Sequence, residues 1–151
     1  MKGRQRVLYE SVRQLLDADE RIDHVVYMSK RHRLMVPYVL AAFAGLGIVA
    51  FVVGIEQWSG RIGLGLAGAA VAAAATTDYR ILASTSSGLV LFQSSRIRQF
   101  ARKLLRRLDV DVEIAAVGGN LVMTDWLVDG DRYSVMKRFQ QAMTAIAAVS
   151  R

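Results

Sequence analysis

The chain has no cysteine, which removes disulfides, thiolate metal sites and cysteine nucleophiles together. It has only two histidines, His24 and His32, and their separation is not that of a helical pair of metal ligands. Both read as solvated or interfacial side chains. Its single proline, Pro37, falls in the first turn of a hydrophobic stretch, where a missing N–H costs little. Ser84, Ser86, Ser87, Ser94 and Ser95 sit in Ser/Thr-rich turns, without the context of a nucleophile elbow. The acidic cluster Asp17, Asp19, Glu20 and Asp23 has Arg21 and Ile22 where a calcium loop needs an oxygen ligand and a glycine. Gly63, Gly65 and Gly68 have the spacing of a dinucleotide fingerprint. The following strand region, Tyr79 to Gln93, however, offers no carboxylate for a ribose. These absences leave no cofactor, no metal and no recognisable catalytic group, and the expectation is a protein that is not an enzyme.

What is present is concentrated in the middle. Met35 to Ile55 is a run of 21 uncharged residues, a helix of roughly 30 Å at ~1.5 Å per residue and the thickness of a hydrocarbon core. Ile62 to Thr77 adds 16 uncharged residues dominated by Gly and Ala. It reaches spanning length only with Ser59–Arg61 and Tyr79, Arg61 snorkelling to the surface. Gly65 with Ala69, and Gly68 with Ala72, are small-xxx-small pairs that let helices approach closely. The expectation is a transmembrane hairpin over residues 34–78, with spans at about 35–55 and 59–78. The first run begins too far into the chain, and is too long, for a cleaved signal peptide. Lys30, Arg31, Arg33 and Arg80 flank the hairpin while its loop holds only Arg61. The positive-inside rule then puts both termini in the cytosol, on a multi-pass protein of the cytoplasmic (inner) membrane.

The flanks read as soluble structure. In residues 1–33, Val7, Leu8, Val12, Leu15 and Leu16 share one helical face, and Asp23–Ser29 is strand-like up to the juxtamembrane cations. Residues 79–151 read as a small α+β domain with an antiparallel sheet. It has a hairpin over Tyr79–Thr85 and Leu89–Gln93, a strand at Asp109–Ile114, and a second hairpin around Asp129-Gly130-Asp131. A closing helix runs from about Val135 to Val149. Between the hairpins, Ile97, Phe100, Ala101, Leu104, Leu105 and Leu108 have a helical period, which predicts a basic amphipathic helix over Arg96–Leu108.

The residues Thr77-Asp78-Tyr79-Arg80-Ile81-Leu82 directly after a span, then Gly88-Leu89-Val90-Leu91-Phe92, carry a family resemblance. Asp125 through Tyr133 and the closing helix with Lys137-Arg138-Phe139 continue it, as does the acidic lead-in Leu15–Glu20. In that order the elements resemble the bacterial pleckstrin-homology-like domains found on small actinobacterial membrane proteins. The resemblance implies a curved sheet capped by a C-terminal helix, and docking rather than chemistry. The basic helix is a departure from that pattern, since such a domain would continue its sheet there.

The charge of +7 suggests an anionic partner. Six cations fall within the twelve residues from Arg96 to Arg107, as in an amphipathic helix at an anionic surface. The plain alternative is an ordinary domain helix with solvated charges. Nucleic acid ranks lower, for lack of interleaved aromatics and of a helix-turn-helix pair. The leading expectation is therefore a membrane-anchored docking or regulatory protein. It binds anionic lipid or a partner protein through Arg96, Arg98, Arg102, Lys103, Arg106, Arg107, Lys30, Arg31 and Arg33. The alternative is an accessory subunit of a larger membrane complex, a transporter or an envelope-synthesis machine. That subunit would pair with a membrane protein or with itself through Gly65, Gly68, Ala69 and Ala72.

Overall fold

The computed structural model describes residues 3–32, 34–95, 99–109 and 111–150. A first helix, α1 (Gly3–Arg13), leads into strand β1 (Ile22–Arg31). Two long helices follow, α2 (Met35–Val52) and α3 (Trp58–Ala75). Six strands come next: β2 (Thr77–Thr85), β3 (Gly88–Ser94), β4 (Ala101–Leu108), β5 (Ile114–Gly119), β6 (Met123–Val128) and β7 (Asp131–Met136). A 3₁₀ turn (Lys137–Phe139) opens the last helix, α4 (Gln140–Val149).

The strands form one antiparallel sheet in the order β4-β3-β2-β1-β7-β6-β5. β1 is its middle strand. Val26 and Met28 of β1 are fully buried, as are Ile81, Leu82 and Ala83 of β2 and Phe92 of β3. Helix α1 contributes Leu8 and Val12 to the same core, and α4 contributes Met143 and Ile146. Both central residues of the β6–β7 turn, Asp129 and Gly130, have positive φ (51° and 76°), as a tight hairpin turn matched to strand twist requires.

This arrangement revises the sequence-based boundaries. Residues 1–33 were expected to stand apart from a domain beginning at residue 79. Instead the segment up to Lys30 and the segment from Tyr79 onward make one compact unit, and Arg31–Asp78 make the second. The physical reason lies in β1, whose apolar residues face the core of the sheet and have no other place to be buried. The sheet-forming domain is thus interrupted between two neighbouring strands.

The basic segment is a further correction. No helix forms over its described part, which is the edge strand β4; Arg96, Ile97 and Arg98 lie outside the described residues. Two register shifts against β3 explain the misleading period. The extra residue at Arg102 puts Ala101 and Leu104, opposite Ser94 and Phe92, three apart on one face. The extra residue at Leu105 leaves Leu108, opposite Leu89, on the other face, so covered positions from both faces of the strand imitate one helical stripe. The strand expected over Asp109–Ile114 is also moved: β5 starts only at Ile114, and the described residues Asp109 and Asp111 to Glu113 precede it. The closing helix starts at Gln140, because Val135 belongs to β7.

In the second unit α2 and α3 pack as a helical hairpin. His32 N–H donates to Thr76 O at 3.1 Å, which brings its two chain ends together. The turn is fixed by Arg61, whose Nε donates to Ile55 O at 2.7 Å while the guanidinium lies over Phe51 and Trp58. A Cβ on Gly65 would meet Phe43 at 2.9 Å, and one on Gly68 would meet Leu46 at 2.5 Å. These two glycines let the helices touch. The outward faces are apolar and bare: Val36, Leu40, Ile48, Phe51, Val52, Leu66 and Val71 are all exposed.

Candidate functional site

The candidate site is built on β4, where the cations of the basic segment meet two different environments. At its C-terminal half, Arg106 pairs with Asp129. Arg107 pairs with Glu20 and reaches Asp17 at 3.2 Å. Ser87, in the β2–β3 turn, donates to the same Glu20 carboxylate and accepts from Arg107 Nη1 at 3.0 Å. The main chain reinforces this clasp, since Arg21 N–H donates to Ser86 Oγ at 3.1 Å and Ser86 N–H to Arg21 O at 2.9 Å. Glu20 is 7% exposed. The Arg107 guanidinium, helped by Ser87, holds its carboxyl below the usual range, and Glu20 in turn raises the guanidinium.

At the N-terminal half the geometry is open. Arg102 and Lys103 are exposed, and among the described residues neither meets a carboxylate. Arg102 lies over the Phe100 ring, 5.9 Å from its centroid. Register fixes where this half sits: Lys103 is opposite Gln93 of β3, and Gln93 is opposite Arg80 of β2. Arg80 lies three residues past the start of β2 and Arg31 closes β1. The open cations therefore occupy the end of the sheet where the chain passes into the apolar hairpin. The clasp occupies the other end, with the β2–β3 turn.

The remaining expected contacts divide the same way. Lys30 is taken up by Asp131 at 2.6 Å and lies near the Tyr133 ring. Arg31 is exposed, and Arg33 lies outside the described residues, as Arg96 and Arg98 do. The nine cations read from sequence thus reduce to Arg31, Arg102 and Lys103 as described groups with open surface. Sequence reasoning missed Glu20 and Ser87 as partners because they lie 87 and 20 positions from Arg107. The one available hint was the place of Glu20 within the acidic cluster, just before a strand. Gly65 and Gly68 are buried within the hairpin, with Ala69 and Ala72 partly covered on the same side. Among the described residues no group of three or more His, Asp or Glu is placed to hold a metal ion.

Among the described residues one helix, α2, is long and apolar enough to cross a membrane, and only 6% of that stretch is buried. Comparison of the chain with protein-family models, with curated proteins and with solved structures finds no match.

Proposed function

We propose that the chain is a non-enzymatic, membrane-anchored docking protein of pleckstrin-homology-like fold. Its two-helix hairpin is embedded in the bilayer, and its sheet domain engages anionic headgroups through Arg102 and Lys103. The observation that carries this reading is the split along β4. Arg106 and Arg107 are neutralised by carboxylates, whereas Arg102 and Lys103 stay open at the end of the sheet that leads into the hairpin. The bare apolar surface of α2 and α3 supports the anchoring, because a soluble core helix would bury such side chains. The turn chemistry of Arg61 supports α3 as the second span, since its charge is met by a carbonyl and two aromatic rings.

For the accessory-subunit alternative, the small-residue face is in part already used within the hairpin, while Ala69 and Ala72 stay partly exposed. Gly65 and Gly68, the residues expected to face a partner, are occupied by α2.

Two measurements test the proposal. The full chain should stay with membranes through alkaline carbonate washing, and release into the wash would remove the anchor. Because β1 and β2 are neighbours in a unit with its own core, a short linker in place of residues 32–76 gives a soluble form for vesicle sedimentation. That form should bind phosphatidylglycerol-containing vesicles and not pure phosphatidylcholine. Arg102→Gln with Lys103→Gln should weaken binding roughly thirtyfold, at about 1 kcal/mol for each cation. Binding indifferent to lipid charge would end the headgroup reading.

A further inference from the structure

We propose that the β5 edge is a self-association surface, on which β5 of a second copy of this chain pairs antiparallel about a two-fold axis. β5 ends the sheet, and the five residues Ala116–Asn120 are all exposed. The stretch from Ile114 to Thr124 carries no charge, so this edge lacks the lysines and prolines that usually guard a strand against pairing. Its described counterpart at the other side of the sheet, β4, is guarded heavily. Beyond β5, Leu121 is 92% and Val122 65% exposed, a second apolar element beside the edge.

Charge selects the occupant. Before β5 come Asp109, Asp111 and Glu113, all exposed. At its other end Lys137 N–H donates to Val122 O at 3.0 Å, which places Lys137 and Arg138 beside the turn. Both are exposed, and among the described residues neither meets a carboxylate. The edge is thus acidic where it begins and cationic where it ends. A two-fold axis near Ala115 and Ala116 brings the acidic start of one copy against the cationic end of the other, twice. A uniformly charged partner would satisfy only one end. The register shift at Val117 confines the regular pairing to Ile114–Ala116, so Leu121 and Val122 of each copy supply the rest of the contact. This surface is separate from the open cations of β4 and does not rest on lipid binding.

The test uses the full chain in mild detergent. The native sequence has no cysteine, so a single introduced thiol reports its own neighbourhood. Cysteines at Ala115, Ala116 and Val117 are oxidised with copper–phenanthroline, with Gln141→Cys on the exposed face of α4 as control. Disulfide-linked dimer is expected from at least one of the three and not from the control. Lys137→Glu with Arg138→Glu should cut that dimer roughly fivefold to tenfold, as mismatched rim charges do. Adding Asp109→Lys, Asp111→Lys and Glu113→Lys should restore it. Emission of the buried Trp126, read in a Trp58→Phe background so that it is the sole tryptophan, checks that each variant is folded. Linkage no stronger than in the control overturns the proposal, whatever else binds the edge. Linkage insensitive to the charge reversal overturns it too, assigning association to the hairpin.

Discussion

The two halves of β4 share a composition and differ in fate. Arg106 and Arg107 are bound to acids from distant parts of the chain, Asp129 and Glu20, and fasten the sheet. Arg102 and Lys103, four residues earlier on the same strand, touch no described carboxylate and stay open to solvent. The difference teaches that local charge density does not mark a binding surface. What marks it is the charge remaining after the fold has drawn its own ion pairs, and that remainder depends on contacts a linear reading does not contain.

The largest expected effect breaks the fastened half. Arg107→Leu leaves the Glu20 carboxylate buried beside Ser87 with no cation, a far worse state than an intact pair or none. The thermal midpoint of the sheet domain, followed by Trp126 emission in the same Trp58→Phe background, should fall on the order of 10 °C. Arg102→Leu should move it by no more than about 2 °C, as exposed substitutions do. Glu20→Leu combined with Arg107→Leu should recover most of the loss, because the buried carboxylate is then gone together with its partner. Equal shifts for Arg107→Leu and Arg102→Leu would erase the distinction between the halves.

A smaller effect sharpens it through acid. The folded carboxyl of Glu20 is lowered chiefly by its bond to Arg107. Its stabilisation is therefore present above the ordinary carboxylate range and is lost as pH falls through the lowered folded value. Midpoints measured from neutral pH to about pH 3 should decline, and Glu20→Gln should start lower and decline less. A variant as acid-sensitive as the native chain would place the sensitive group elsewhere.

Much of the architecture was legible in the sequence, for stated physical reasons. The long apolar run became α2 as far as Val52, with Pro37 in the first turn where its missing N–H costs little and Gly54, at a φ of 83°, just past the helix end. The Asp129-Gly130 turn formed because both positions tolerate positive φ. The α+β character and the C-terminal helix followed from periodicity. Three features were not legible. A bulge at Arg102 set Ala101 and Leu104 three apart on one face of β4, and Leu108, covered on the other face, completed the apparent helical period. β5 escaped notice because Ala115, Ala116, Gly118 and Gly119 have little strand preference, and pairing with β6 overrides it. The membership of β1 in the sheet depends on its partners β2 and β7, the former reached only after the whole hairpin has been traversed. Of the candidate site, the cations were readable and their partners were not.

The smallest expected effect lies at the opposite end of the sheet and the opposite end of the pH scale. There the buried titrating group is a phenol. Tyr27 stacks on Tyr79, centroids 5.6 Å apart, and burial pushes its hydroxyl up to about 12, with Tyr79 adding to the rise and a bond to Ser94 opposing it. A raised phenol stabilises the fold only while it stays protonated. Its contribution is complete below the unfolded value near 10 and disappears as pH climbs from there toward about 12. Tyr27→Phe keeps the stacked ring and removes the titration. Its midpoint should match that of the native chain to within a few degrees at neutral pH and decline less steeply above about pH 10. If both limbs behave this way, the clasp end fails in acid and the hairpin-proximal end in alkali. If Tyr27→Phe leaves the alkaline slope unchanged, the second buried phenol, Tyr133, also raised by burial, carries that limb, and the contrast between the two ends holds in acid alone.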